Sequence, residues 1–347
     1  MRVGILFHKN PFGPATGIDL VRIRAIAGGL RRKGIDAHII SPTGMEGTID
    51  DGVPVRDISA LGESPAYDLV KTSYHDSITL LGSYKGPVVA RIVRVVDERL
   101  PERDEASRRK LLDCQELILS RASALVLNNR ENVARWRERY GNRLPVFLIP
   151  TGCPAVLPRS GVNPFKGGLP AILFLGSLAA PRMAAILNES ARRLEGLAKI
   201  HFIGRNKTGI YGGGSECRLD SLIAVHGEIA EEHIWPYIRH ASVGLALATG
   251  PYAFDNDVSK ILNYLRGGLP VLSEEPIINN ELIRQTKYGK TFKHGDVDDL
   301  VIKAAQILSN PPVDKREAVM RFMAVEHSWD RRVESYTAVF EQVLKSW

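Results

Sequence analysis

The sequence predicts an α/β protein built from two doubly wound, Rossmann-like domains facing a central cleft. Three observations carry that expectation. The chain has 347 residues, too many for one typical core and comfortable for two. Short apolar runs alternate with amphipathic helical stretches, the pattern of a parallel sheet covered on both faces. Between two such series lies "LIPTGCPAVLPRSGVNPFKGGLP", with five prolines between residues 150 and 170. Its lack of periodicity marks a linker or hinge.

In the first series, strands read at 2–7, 36–41, 67–71, 87–93, 123–128 and 145–149, with helices notably at 17–33 and 105–121. The second series has "AILFLGSL" at 171–178, "KIHFIGR" at 199–205, "IAVHGEI" at 223–229, "ASVGLAL" at 241–247 and "LPVLSEE" at 269–275. Helices fit between and after them at 181–195, 231–239, 259–266, 297–309 and 328–345. The domains then span 1–150 and 151–327. Ligands of such sheets bind outside the carboxyl ends of the strands, near helix N-termini.

Composition is that of an ordinary globular chain, 44% apolar and 24% charged. No apolar run approaches the roughly 18 residues that span a bilayer, and "VGILF", followed at once by His8 and Lys9, is too short for a signal-peptide core. The three cysteines, Cys114, Cys153 and Cys217, are widely spaced and form no CxxC pair. That pattern suggests a reducing compartment, the cytoplasm. The net charge of +7 is concentrated in "RRKG" at 31–34, "SRRK" at 107–110 and "RWRERYGNR" at 135–143. Besides solvated helix faces, it suggests attraction to something anionic, such as nucleotide phosphates or a membrane surface touched peripherally. Nucleic acid is not expected as a partner, because no recognised binding motif accompanies the charge.

Two segments carry candidate chemistry. Strand 2–7 runs into "HKNPFGPATGIDLVR", where Gly13 and Gly17 bracket a loop that opens a helix, with Thr16 as its candidate N-cap. The second is "FDNDVSKILNYLRGGLPVLSEE", residues 254–275. A helix starts near Ser259 and stops at Gly267-Gly268. Ser259, Asn263 and Arg266 share one face, while Ile261, Leu262 and Leu265 turn to a core. Lys260 adds a positive charge where the first turn's N–H groups are free, so a diphosphate would find cation and amides together. Asp255-Asn256-Asp257 spells a DxD, but it precedes a phosphate-facing helix, and no metal site is assigned to it. His38 and His240 read as structural, His75 with Asp76 as structural or cleft-lining, and "YGGGSE" at 211–216 as a mobile loop.

The run "DNDVSKILNYLRGGLPVLS" resembles the donor-binding motif of the GT-B glycosyltransferases of the large retaining family 4. Other segments agree in order: "IPTGCP" is similar to the family's interdomain hinge, and "AILFLGSL" to the first strand of its nucleotide domain. "VHGEIAEEHIWPYIRHASVGLAL" is similar to the unit that holds the base, and "HSWDRRVESYTAVFEQVL" to the closing helix, which in the family packs back on the first domain. The likeness covers nearly the whole chain and is strongest from 145 to 345.

The resemblance implies a retaining sugar transfer from a nucleotide-diphosphate sugar of UDP or GDP type, with no cofactor and no metal. The acceptor would be a carbohydrate such as a glycan, a lipid-linked acceptor or a small molecule. It places Asp255 beside the donor sugar, and Lys260, Ser259 and Arg182 at the diphosphate. Asn263 would lie at the ribose, Gly227 and Ile229 at the base, and Gly13 to Gly17 over the donor. Arg94 stands roughly where relatives often carry an active-site His. Three positions depart from the motif. Asn263 replaces a carboxylate, Asp255 is shorter than the usual Glu, and Ser177 stands where a clamp cation is usual. A non-catalytic subunit of the same fold is the alternative, and a sugar-nucleotide epimerase a third.

Overall fold

The computed structural model describes all residues except 50–51, 63–66, 97–104, 159–160, 213 and 254–255, and the side chains of 211–212. It divides into two compact units, Met1–Thr151 with Trp329–Trp347, and Gly152–Ser328.

The first unit is built on β1 (Arg2–Leu6), α1 (Ile18–Arg32), β2 (Asp36–Ser41), β3 (Gly47–Ile49), β4 (Val53–Asp57), β5 (Leu69–Lys71), β6 (Val88–Arg91), α2 (Glu105–Arg121), β7 (Ala124–Leu127), α3 (Arg130–Tyr140) and β8 (Val146–Leu148). Its sheet has the order β3-β4-β2-β1-β5-β6-β7-β8, parallel throughout except for the β3–β4 hairpin. Alternation along the strands feeds two cores. Val3, Ile5, Leu69 and Val89 pack with Ile23 and Ile26 of α1 on one face. Leu6, Val70, Val88 and Ala90 pack with Ile118 of α2 and Trp136 of α3 on the other. The hairpin at 47–57 is absent from the sequence expectation. Three residues starting with Gly at the edge of the sheet, paired to a strand carrying Pro54, give too little apolar alternation to read.

The second unit comprises β9 (Ala171–Leu175), α4 (Pro181–Arg193), β10 (Lys199–Ile203), α5 (Thr208–Gly212), β11 (Ala224–Gly227), α6 (Trp235–His240), β12 (Val243–Ala246), α7 (Lys260–Arg266), β13 (Val271–Glu274), α8 (Asn280–Thr286), β14 (Gly289–Phe292), α9 (Val297–Ser309) and α10 (Arg316–Glu326). All six strands are parallel, in the order β11-β10-β9-β12-β13-β14. Trp235, Ile261, Leu265 and Met323 cover one face; Met183, Leu187, Leu300 and Ala304 cover the other. β14, α8 and α10 are additions to the sequence expectation. β14 buries only Phe292, and α10 only Val319 and Met323, so their periodic signals are faint.

The last helix, α11 (Trp329–Ser346), returns to the first unit. Val333, Tyr336, Val339, Phe340 and Val343 enter the core beneath α1. Gly29 of α1 permits the close approach: a Cβ there would lie 2.5 Å from Val333 Cγ2.

Two local expectations are corrected. The N-cap of α1 is Gly17, in an extended conformation, rather than Thr16. The first two residues of the loop expected at 211–216 instead end α5 (Thr208–Gly212), while Gly213 lies outside the described residues. Ile23 in the basic stretch 17–33 and Trp136 in the basic stretch 135–143 are wholly buried, so those two side chains serve the core. Among the described residues no helix is long and apolar enough to cross a membrane.

Candidate functional site

In the second unit β9 has β10 on one side and β12 on the other, so the strand order reverses there. Such a reversal opens a crevice at the carboxyl edge of the sheet. Three strand ends are tied together at this edge. Gly176 N–H donates to the Ile203 carbonyl (2.8 Å) and Gly204 N–H to the Gly227 carbonyl (2.8 Å). The turn after β10 comes so near the turn after β9 that a Cβ on Gly204 would stand 2.1 Å from the Gly176 carbonyl oxygen; its φ of +145° is likewise glycine territory.

α7 is delivered to this crevice by a residue that the sequence reading assigned no role. Tyr264 is wholly buried. Its hydroxyl accepts the Leu175 N–H (2.8 Å) and lies 2.9 Å and 3.1 Å from the carbonyls of Leu173 and Leu245. It thus pins α7 across β9 and β12 at the point of reversal. Gly244 makes room for the ring, since a Cβ there would fall 2.5 Å from it. In sequence Tyr264 merges with the apolar stripe of Ile261 and Leu265, and nothing distinguishes it. Tyr264→Phe should leave the Leu175 N–H unanswered and destabilise the protein by about 1–3 kcal/mol. Urea unfolding should show a lower midpoint at unchanged slope.

One turn earlier, Lys260 projects toward the end of β9. Its ammonium sits 4.3 Å from the centroid of the Phe174 ring, and its Cε 3.6 Å from where a Gly176 Cβ would be. Burial lowers its pKa to about 8. Ser259 occupies the N-cap of α7 but makes no side-chain capping bond. Asn263, one turn on, is half-buried, and its backbone carbonyl accepts the Gly267 N–H. Arg266 leaves the polar face expected of it: buried, it donates to the Pro154 and Ala155 carbonyls, and so ties α7 to the start of the linker.

Before α7, Asn256 is wholly buried and organises its loop. Its amide oxygen accepts from Thr249 N–H and hydroxyl, and its NH2 reaches the Gly250 and Tyr252 carbonyls. Asp257 accepts from Asn279 (3.0 Å). Asp255 lies outside the described residues. Among the described residues no group of three His, Cys, Asp or Glu could hold a metal ion.

Ser177 is half-buried beyond β9. Arg182, at the start of α4, turns its guanidinium onto the wholly buried Glu274 and the Ala248 carbonyl. Glu274, a further residue without an assigned role, also accepts from Ala248 N–H and Gly295 N–H, both at 2.8 Å. Gly227 ends β11 with φ +73°, and Ile229 packs against the core on the α7 side. By sheet order β11 stands two strands from β9, roughly 10 Å along the edge.

The remaining candidates belong to the first unit. Arg24 of α1 holds the Gly13 loop by donating to the Pro11 and Gly13 carbonyls, each at 2.8 Å. A Cβ at Gly13 or Gly17 would meet nothing within 4 Å, so packing alone does not demand glycine at either place. Arg94 is half-buried on a segment fixed by Val95 N–H to Asn132 and Val96 N–H to Gln115, both 2.9 Å. His75 is buried, with a pKa lowered to about 4 by desolvation. His38 bonds Asp36 and Tyr67, and His240 bonds the Gly161 carbonyl.

Comparison with known proteins identifies the architecture. No family model matches the chain, and no curated protein matches its sequence. Solved structures do match. Sucrose-phosphate synthase from Thermosynechococcus elongatus is 14% identical with a TM-score of 0.78, covering 100% of both chains. HepE from Anabaena in complex with UDP-glucose is 14% identical with a TM-score of 0.70, again over 100% of both. A glycosyltransferase from Rickettsia africae is 12% identical with a TM-score of 0.70, over 100% of this chain and 99% of that one. The fold is that of the GT-B glycosyltransferases.

Proposed function

We propose that this protein is a retaining glycosyltransferase that moves a sugar from a nucleotide-diphosphate sugar to a carbohydrate or lipid-linked acceptor. The observation that carries the reading is Lys260, whose ammonium stands over Phe174 at the reversal point of the second sheet. The similar HepE was solved with UDP-glucose, which supports a donor of that class. When the glycosidic bond breaks, negative charge grows on the departing diphosphate, and a preorganised cation in a partly dry site stabilises it. Lys260 supplies that cation. Ser259, with its hydroxyl unused in capping, and Ser177 stand beside the same edge as hydrogen-bonding groups. Asn263 serves the ribose as a neutral donor-acceptor. Gly227 and Ile229, along the edge, serve the base. Asp255 is assigned to the donor sugar on the motif alone, as are Arg94 and the Gly13–Gly17 loop to roles at the sugar and donor.

The test is a thermal-shift screen of UDP- and GDP-sugars, followed by donor-hydrolysis assays run with and without excess chelator. Transfer or hydrolysis that survives chelation supports the reading. Activity lost on chelation and restored by manganese would move the chemistry to the DxD. Binding without turnover would favour the non-catalytic alternative, which draws on Arg182 being engaged by Glu274 rather than offered to a ligand.

Peripheral contact with an anionic membrane is the second part of the proposal. Arg109 and Lys110 on α2, and Arg130, Arg137 and Arg139 on α3, are exposed, and both helices cover the same face of the first sheet. Each such residue near an anionic surface contributes about 1 kcal/mol. Sedimentation should show binding to phosphatidylserine vesicles at low salt and release at high salt. Equal, negligible binding to anionic and neutral vesicles at low salt would sink this part.

A further inference from the structure

A departing diphosphate carries more than one negative charge, and Lys260 is a single cation. The two residues expected beside it do not complete a clamp. Ser177 is neutral, and Arg182 is engaged by Glu274 and the Ala248 carbonyl. A further cation stands at the same sheet edge on a different strand. Arg205 lies two residues past Ile203, the end of β10, and it is exposed. Among the described residues its guanidinium makes no hydrogen bond, ion pair or ring contact.

Backbone bonds fix the way it faces. Leu178 N–H donates to the Arg205 carbonyl (3.0 Å), and Lys207 N–H donates to the Leu178 carbonyl (2.9 Å). Leu178 is thus bridged in parallel to Asn206. Bridged residues turn their side chains to one face of a sheet, and their chain neighbours turn to the other. Leu178 lies in the core beneath α4 and α9, and Asn206 bonds the carbonyl of Cys217, which packs on that same core. Arg205 therefore faces the opposite side, the one covered by Ile261 and Leu265 of α7. Lys260 opens α7 on that side, with its Cε 3.6 Å from the Cβ position of Gly176. The two cations stand at the ends of neighbouring strands, β9 and β10, about 4.8 Å apart along the edge. Arg205 is the one nearer β11.

We propose that Arg205 is the second phosphate-binding cation of the donor site, holding the phosphate next to the nucleoside while Lys260 meets the phosphate that leaves the sugar. The proposal rests on the nucleotide-sugar reading. With the base at Gly227 and Ile229, beyond β10, Arg205 comes before Lys260 along the donor. A planar guanidinium can give two N–H groups to one phosphate. The bond that breaks is on the other phosphate, so charge near Arg205 changes little during transfer. Arg205 then holds the ground state and the transition state alike, and its loss should raise KM far more than it lowers kcat.

The experiment is calorimetry on the full chain with UDP, GDP, UMP and GMP as probes. Arg205→Gln alters an exposed side chain and should fold as the parent does. It should weaken the diphosphate and the monophosphate of the preferred base by about tenfold each, and Arg205→Lys should keep part of the affinity. Lys199→Gln makes the same change of charge at the opposite end of β10, where Lys199 is exposed, and should leave binding unaltered. Unchanged diphosphate affinity in Arg205→Gln overturns the proposal, as does an equal loss in Lys199→Gln. A loss confined to the diphosphates overturns the assignment to the nucleoside's phosphate. If Lys260→Ala weakens binding and Arg205→Gln does not, the donor reading stands and this inference falls. If Arg205→Gln weakens nucleotide binding in a protein that transfers no sugar, the transferase reading falls and the role of Arg205 stands.

Discussion

Lys260→Ala is expected to weaken nucleoside-diphosphate binding by about 1.5–3 kcal/mol, the range for a charge-assisted hydrogen bond. That is on the order of tenfold to a hundredfold in Kd. The argument rests on the position of the ammonium at the end of β9 and on its surroundings. A half-buried cation over an aromatic face keeps more of its field than one on an open surface. Calorimetry with UDP and GDP reads the effect directly. Unchanged affinity would remove Lys260 from the site, and with it the observation that carries the proposed function.

The same side chain gives the binding a pH signature. Its pKa in the folded protein is lowered to about 8, against about 10.4 for an exposed lysine. The diphosphate favours the charged form, so affinity should be flat below pH 8 and fall as pH rises through it. The stability effect has the opposite sense. Because the folded state binds this proton less well than the unfolded one, the penalty is fully present below pH 8 and relieved between pH 8 and the unfolded pKa. Lys260→Ala should therefore be at least as stable as the parent at pH 7, and its diphosphate binding should lose the fall above pH 8. Loss of binding accompanied by intact folding separates a ligand role from a structural one.

Much of the architecture was legible because long amphipathic helices and apolar strands declare themselves. The 105–121 and 297–309 helices are seen at the expected bounds, where periodicity runs for three turns or more. The short hairpin β3–β4, the edge strand β14 and the weakly amphipathic α10 bury too few residues to signal. For the site, the motif around Lys260 could be read because charge and helix start adjoin in sequence. Tyr264, Glu274 and Asn256 could not. Tyr264 looks like one more core residue, Asn256 like the middle of a DxD, and Glu274 like a strand-end carboxylate. Each acquires its role from partners that the chain brings together only on folding.

Arg182→Ala should have the largest effect on stability, a loss of about 3–5 kcal/mol, the cost of stripping one partner from a buried ion pair. Glu274 has no exposed surface, whereas the side chain of Arg182 is 28% exposed. The loss therefore comes mainly from the carboxylate left behind. Two backbone amides, Ala248 and Gly295, and His294 at 3.0 Å remain around it, and these keep the loss from being larger. Neutralising both partners in Arg182→Ala/Glu274→Gln should recover a substantial part of the stability, because the uncompensated charge is gone; a double-mutant cycle on urea midpoints measures the coupling. The same variants decide what Arg182 does for a ligand. With its guanidinium held by Glu274 and the Ala248 carbonyl, it has fewer N–H groups to offer a diphosphate than its sequence position suggests. Diphosphate affinity in the double variant should accordingly fall less than in Lys260→Ala. A stable Arg182→Ala protein that has lost diphosphate binding would reverse the assignment, making the arginine a clamp and Glu274 the residue that aims it.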